Sequence, residues 1–159
     1  AHPANALWIA TEEDPVLSAV QGKDVDVRWP VHCVPGTKGF QLIEGLPHPR
    51  EYDFFVWKGV EPDMHPYGAC YHDLAETMST GLIEYLKSRQ VETVLVGGLA
   101  TDYCVKTTVM QLYGSGFQVV VNLAACRGIA DETIAQALDD MKAAGVLFVD
   151  SAQDIVIGE

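Results

Sequence analysis

Four apolar runs, at residues 54–57, 93–99, 118–123 and 146–149, limit what this chain can fold into more than any other feature. The later ones are continuous rather than alternating, the pattern of strands buried in a parallel sheet. Between the runs lie helical periodicities. Ser79, Thr80 and Gly81 open a helix through about Arg89, with Leu82, Tyr85 and Leu86 on one face. Asp102 suits a helix N-cap, and Val105, Val109 and Leu112 follow at helical spacing until Gly114 and Gly116 stop the pattern. Asp131 starts a third helix, with Ile134, Leu138 and Met141 turned inward, and Gly145 ends it. Strand and helix therefore alternate, and this order predicts an α/β fold built on a parallel sheet with crossover helices.

The first 50 residues do not share the alternation. They hold six of the eight prolines and read as loops with short extended pieces. The run ALWIA at residues 6–10 is too short for periodicity to separate strand from helix. An α/β domain usually opens on a strand, and here the first clear one comes late. No repeat, low-complexity tract or dividing linker is present, so residues 1–159 read as a single domain.

A net charge of −12 argues against nucleic-acid partners, which need Lys and Arg gathered on one face, and against an anionic membrane surface. No apolar run approaches the ~20 residues of a membrane span. The four cysteines, Cys33, Cys70, Cys104 and Cys126, form no C-x-x-C pair. With no secretory signal among the residues, free thiols and a cytoplasmic location are expected.

Ligands of a parallel α/β sheet sit outside the carboxyl ends of its strands. Three stretches meet there in this reading: Trp57-Lys58-Gly59, residues 97–104 (GGLATDYC) and residues 122–128 (NLAACRG). Cys104 falls in the first turn of the helix after its strand. Unpaired N–H groups at a helix N-terminus favour a thiolate and can hold an oxyanion. A buried cysteine is more often a small apolar residue, but this position points to a nucleophile. Lys58 follows an apolar run and would add positive charge, although a lysine after a strand is commonly a solvated loop residue. His32, in the stretch WPVHC, and His2 could supply part of a metal site, since neutral imidazole ligates divalent transition metals. Ordinary hydrogen-bonded histidines are the plainer alternative. His48, His65 and His72 show no ligand spacing and read as loop residues. Tyr67 could line the cavity near Lys58, or simply be partly buried.

The stretches RWPVHCVPGTKGFQL, VWKGVEPD, GGLATDYCVKTTV and GFQVVVNLAACRGI occur in that order, and the chain so resembles the nicotinamidase branch of the isochorismatase-like cysteine hydrolases from about His2 to Val149. The resemblance implies a Rossmann-like three-layer fold, a parallel sheet with helices on both faces. It implies hydrolysis of nicotinamide to nicotinate and ammonia in NAD salvage. Cys104 would be the nucleophile and Lys58 the catalytic lysine, with the backbone N–H groups of Ala100 and Cys104 as oxyanion hole. A cis peptide is implied between Leu99 and Ala100. Trp29 and Tyr67 match positions near the pyridine ring. His2 and His32 match the histidines of the family's metal site, for a divalent transition metal, zinc ahead of iron or manganese. Nicotinamide and further copies of the chain, as a homo-oligomer, are the partners implied.

The departures are specific. The family's catalytic aspartate, in a D-x-Q-N-D-F motif, and the metal-binding aspartate two residues before His2 have no counterpart here. Ala1 and Ala6 stand where relatives carry tryptophan and, in many, a further histidine. His65-Pro66-Tyr67-Gly68-Ala69-Cys70 replaces D-S-Y-S-A-F. The expectation is that the chain is the C-terminal portion of a longer protein, or that a second chain supplies the opening segment. Two other activities fit less of the pattern: a metal-independent hydrolase of carbamoyl or ureido compounds, and a non-catalytic homologue lacking the aspartate.

Overall fold

The computed structural model describes residues 2–156; Ala1 and residues 157–159, the ends of the expected single domain, lie outside the described residues. The chain divides into two compact units, residues 2–66 with Tyr71–Thr80, and Tyr67–Cys70 with residues 81–156. No helix among the described residues is long and apolar enough to cross a membrane.

The second unit carries the alternating order. Its elements are α1 (Leu82–Ser88), β1 (Thr93–Leu99), a π-helical turn (Thr101–Val105), α2 (Lys106–Gly114), β2 (Gln118–Arg127), α3 (Asp131–Ala144) and β3 (Leu147–Val149). The strands form a parallel sheet in the order β1-β2-β3, with Thr93 opposite Gln118 and Val120 opposite Leu147. Each crossover is one of the predicted helices. α2 packs on β2 and against α3. Val109 and Leu112 of α2, Val119 and Val121 of β2, and Ala137 and Met141 of α3 are all buried. Gly145 ends α3 in the left-handed region at φ +104°, where any Cβ is strained and would also lie 2.7 Å from the Tyr113 hydroxyl.

β2 runs four residues beyond the expected strand end at Leu123, because its last residues return to pair with β1 after a break in register. Val96 faces Val121, yet Gly98 faces Cys126, so β2 gains three extra residues against β1. Gly97 makes room for them: a Cβ there would stand 2.8 Å from the Ala125 Cβ.

The first unit is built from loops, two short 3-10 helices (Lys38–Phe40 and Pro49–Glu51) and single-residue bridges between Ile9 and Trp29, Ala19 and Val27, Asp24 and Met64, and Tyr71 and Ser79. Trp8 is its fully buried centre, with Ala6 and Val25, and Ile9, Val20 and Trp29 pack around them. The ALWIA run is thus neither helix nor strand: Leu7 and Trp8 form a turn closed by the Ile9 N–H on the Ala6 carbonyl at 3.3 Å, and Ile9 alone joins a bridge. Arg28 holds the layer together by donating to the Leu7 and Ile9 carbonyls at 3.1 and 3.2 Å and pairing with Asp14 at 2.9 Å.

Residues 54–57, expected as a strand, join no ladder. Their rings pack sideways instead, Trp57 on Phe40 and Phe55 on Tyr52, with centroids 5.3 Å apart in each pair. Phe54, Phe55 and Trp57 remain 40%, 48% and 52% exposed, so the apolar run marks stickiness without specifying a sheet neighbour.

Candidate functional site

In the first unit three histidines from distant loops converge. One ligand nitrogen from each of His2, His32 and His65 lies within 4.8 Å of the others. His2 and His65 are buried and His32 is exposed. Burial first, and then positive neighbours including Lys58, lower both His2 and His65 from the ordinary imidazole range to about 3. Both rings are therefore neutral at physiological pH and keep a lone pair. The Nδ1 atoms of His2 and His32 lie 3.2 Å from the Gly59 carbonyl and 2.6 Å from the Pro30 carbonyl. A carbonyl can only accept, so each Nδ1 carries the proton and each Nε2 offers its lone pair. This is the backbone support usual for metal-binding histidines. The donor set fits a divalent transition metal.

Lys58 follows the packed aromatic run and is half-buried, its ammonium donating to the Pro66 carbonyl at 2.9 Å. It is held in place, not a freely solvated loop residue. Trp29 lies nearly parallel to the His65 ring, centroids 6.3 Å apart.

In the second unit the chain leaves the carboxyl end of β1 through a cis peptide between Leu99 and Ala100. The Tyr103 and Val105 N–H groups both donate to the Ala100 carbonyl, at 3.1 and 3.0 Å, and so close a wide turn around Cys104. Cys104 is neither packed away nor fully exposed, and none of the four cysteines is joined in a disulfide. The Thr108 hydroxyl donates to the Cys104 carbonyl at 2.7 Å and accepts from the Ala69 N–H at 3.0 Å. Tyr67 packs against Tyr103, centroids 5.5 Å apart.

Comparison with known proteins decides the family. The isochorismatase domain model matches residues 4–153, nearly the whole chain. This chain belongs to the isochorismatase family. It is 37% identical over 148 residues to the nicotinamidase of Escherichia coli (strain K12), a match spanning 91% of this chain and 68% of that enzyme. Two solved structures share the fold. The PnC1 protein of L. infantum in complex with nicotinate superposes with a TM-score of 0.80 at 30% identity, covering 98% of this chain and 70% of that one. The pyrazinamidase of Pyrococcus horikoshii in complex with zinc superposes with a TM-score of 0.73 at 28% identity, covering 93% and 70%.

Within this isochorismatase-family chain the first unit brings together His2 and His32, with Trp29 beside them through His65 and Lys58 close enough to repel protons from His2 and His65. The second unit brings together Ala100 and Cys104 in one turn, with Tyr67 against its Tyr103. Two sequence readings are corrected. His65 is no plain loop residue but one of the three converging rings. Asp102 does not cap α2: its carboxylate accepts from the Ile129 N–H at 3.1 Å, the Ala130 N–H at 3.4 Å and the Thr133 hydroxyl, and so anchors the start of α3. No local signal marked either role, because both partners lie far away along the chain.

Proposed function

We propose that the chain hydrolyses nicotinamide to nicotinate and ammonia, with Cys104 as nucleophile. The observation that carries this reading is the half-exposed Cys104 in the wide turn at the end of β1, in a chain whose match to a nicotinamidase spans 91% of its length. The Cys104 sulfur, as thiolate, adds to the amide carbon. The carbon–nitrogen bond breaks, ammonia departs carrying the thiol proton, and a thioester remains. Water then attacks the thioester, nicotinate leaves and the thiol is restored. The N–H groups of Ala100 and Cys104 serve the developing oxyanion, and the Lys58 ammonium stabilises negative charge. Trp29 and Tyr67 provide aromatic surface for the pyridine ring.

His2 and His32 would hold a divalent metal, zinc in this reading, which supplies a Lewis acid for orienting the pyridine nitrogen or its bound water. The reaction belongs to NAD salvage and is placed in the cytoplasm, in a homo-oligomer.

The test is ammonia release from nicotinamide, pyrazinamide and N-carbamoyl compounds, measured with the chain and with Cys104→Ala. The reading requires turnover of the pyridine amide and a fall of at least ~1,000-fold in the variant. Turnover of carbamoyl compounds alone, or a variant as active as the parent, would overturn it.

A further inference from the structure

We propose that His65 is a third protein ligand of the metal, so that the ion sits on the imidazoles of His2, His32 and His65 with no carboxylate in its first shell from the described residues. The inference rests on the reading above that this cluster holds a metal.

Three features of the molecule point to it. The first is convergence. His65 contributes a ring nitrogen to the same 4.8 Å cluster as His2 and His32, with ring centroids 5.1 and 6.1 Å from theirs. Ligands of a tetrahedral zinc stand roughly 3.3 Å apart at bond lengths of about 2.0–2.1 Å, so a cluster spread over 4.8 Å needs to tighten by about 1.5 Å. His32, the exposed member, can supply that movement.

The second is placement. The His65 N–H donates to the Asp24 carbonyl at 2.8 Å, and the single Asp24–Met64 bridge joins the same two segments. Trp8 packs on the His65 ring at 4.3 Å between centroids, and Trp29 lies nearly parallel to it at 6.3 Å. A buried ring packed against an indole keeps one orientation, which is the usual task of the groups around a metal ligand.

The third is chemistry. The members of the cluster are imidazoles, and no carboxylate of the described residues joins them. Such a donor set suits a borderline-soft cation that binds nitrogen. It favours zinc, cobalt, nickel or copper over magnesium, calcium and manganese, whose sites are built of oxygen. A catalytic site of three histidines also leaves a coordination position open.

The experiment uses the chain stripped of metal and reloaded with zinc or cobalt(II). X-ray absorption fine structure of the zinc form counts imidazoles in the unaltered protein, so it stands even if a variant misfolds. Three are expected. Competition with a chromophoric chelator then gives the zinc affinity of the parent and of His65→Gln, whose folding is checked by circular dichroism. A loss of more than ~100-fold is expected, since even groups outside the first shell cost 10–100-fold. The cobalt(II) ligand-field spectrum of the variant should also change. Two imidazoles in the parent, or a folded His65→Gln variant of unchanged affinity and spectrum, overturns the role of His65 and leaves the two-histidine metal site standing. A parent that takes up neither ion overturns both.

Discussion

Asp102 stands two residues before Cys104 and yet serves the start of α3. The N-cap of that helix, Ala130, has no side-chain oxygen, and the Asp102 carboxylate anchors the chain entering the helix instead, accepting from the Ile129 and Ala130 N–H groups and the Thr133 hydroxyl. Asp102→Ala should therefore lower stability to urea by about 1–2 kcal/mol, the range for losing a helix cap. It should also disturb the Cys104 turn and lower kcat for nicotinamide by roughly 10–100-fold, with KM changed less. Asp102→Asn keeps one acceptor oxygen and should recover part of both losses; if Ala and Asn behave alike, the carboxylate is not the positioning group. The residue type was legible as a cap, because Asp competes for backbone N–H groups wherever it sits. Which helix it serves was not, because the bonded groups lie 27 to 31 residues further on. His65 is the same case. Its spacing from His2 and His32 carries no signal, and only tertiary structure makes it a neighbour. The turn after β1 was legible because strand, glycines and helix specify it locally.

At the scale of elements, the close approach of β1 and β2 depends on a missing methyl group. Gly97 lies within the register break, where an added Cβ would meet the Ala125 Cβ at 2.8 Å, too close unless one strand moves. Gly97→Ala should cost about 1–3 kcal/mol, the usual penalty for overpacking a fixed backbone contact. Thermal or urea unfolding measures it, and an unchanged midpoint would show that the extra residues of β2 yield freely. Gly68 makes a companion case. A Cβ there would stand 2.0 Å from the Gln111 Oε1, the buried acceptor of the Cys70 N–H at 3.1 Å. Gly68→Ala should destabilise by a similar amount, because Gln111 must release that N–H to escape the clash. The positions of the strands and helices of the second unit were readable from period and punctuation, whereas the return of β2 onto β1 was not, and β1, whose continuous apolar run predicts a buried strand, leaves Leu95 and Leu99 exposed. That return arises from pairing, and hydropathy does not record pairing. Residues 54–57 show the converse, since an apolar run is necessary for a buried strand and does not create a neighbour for it.

For the molecule as a whole, the two units rest on different sources of stability. The second has a ladder and three helices around a buried core, while the first has neither ladder nor α-helix among its described residues. Small loop-built units commonly need a metal or a cross-link to stay folded. His2, His32 and His65 lie far apart along the chain, so an ion bound to them closes long loops as a cross-link would. Free zinc at 100 times its dissociation constant should stabilise this unit by about 2.7 kcal/mol, or about 100-fold in its open population. Arg28 and Lys106 provide internal reporters. Arg28 is tied to Leu7, Ile9 and Asp14, so trypsin reaches its bond only when the first unit opens. Lys106 pairs with Asp140 in the second unit, away from the histidine loops in sequence. Mass spectrometry of timed digests, with saturating zinc and with chelator, should show cleavage after Arg28 accelerating by up to ~100-fold on chelation, while cleavage after Lys106 changes little. Equal acceleration at both sites would mean that the ion stabilises the chain as one cooperative block. Acceleration at neither would mean that Trp8 and its neighbours hold the loops without it.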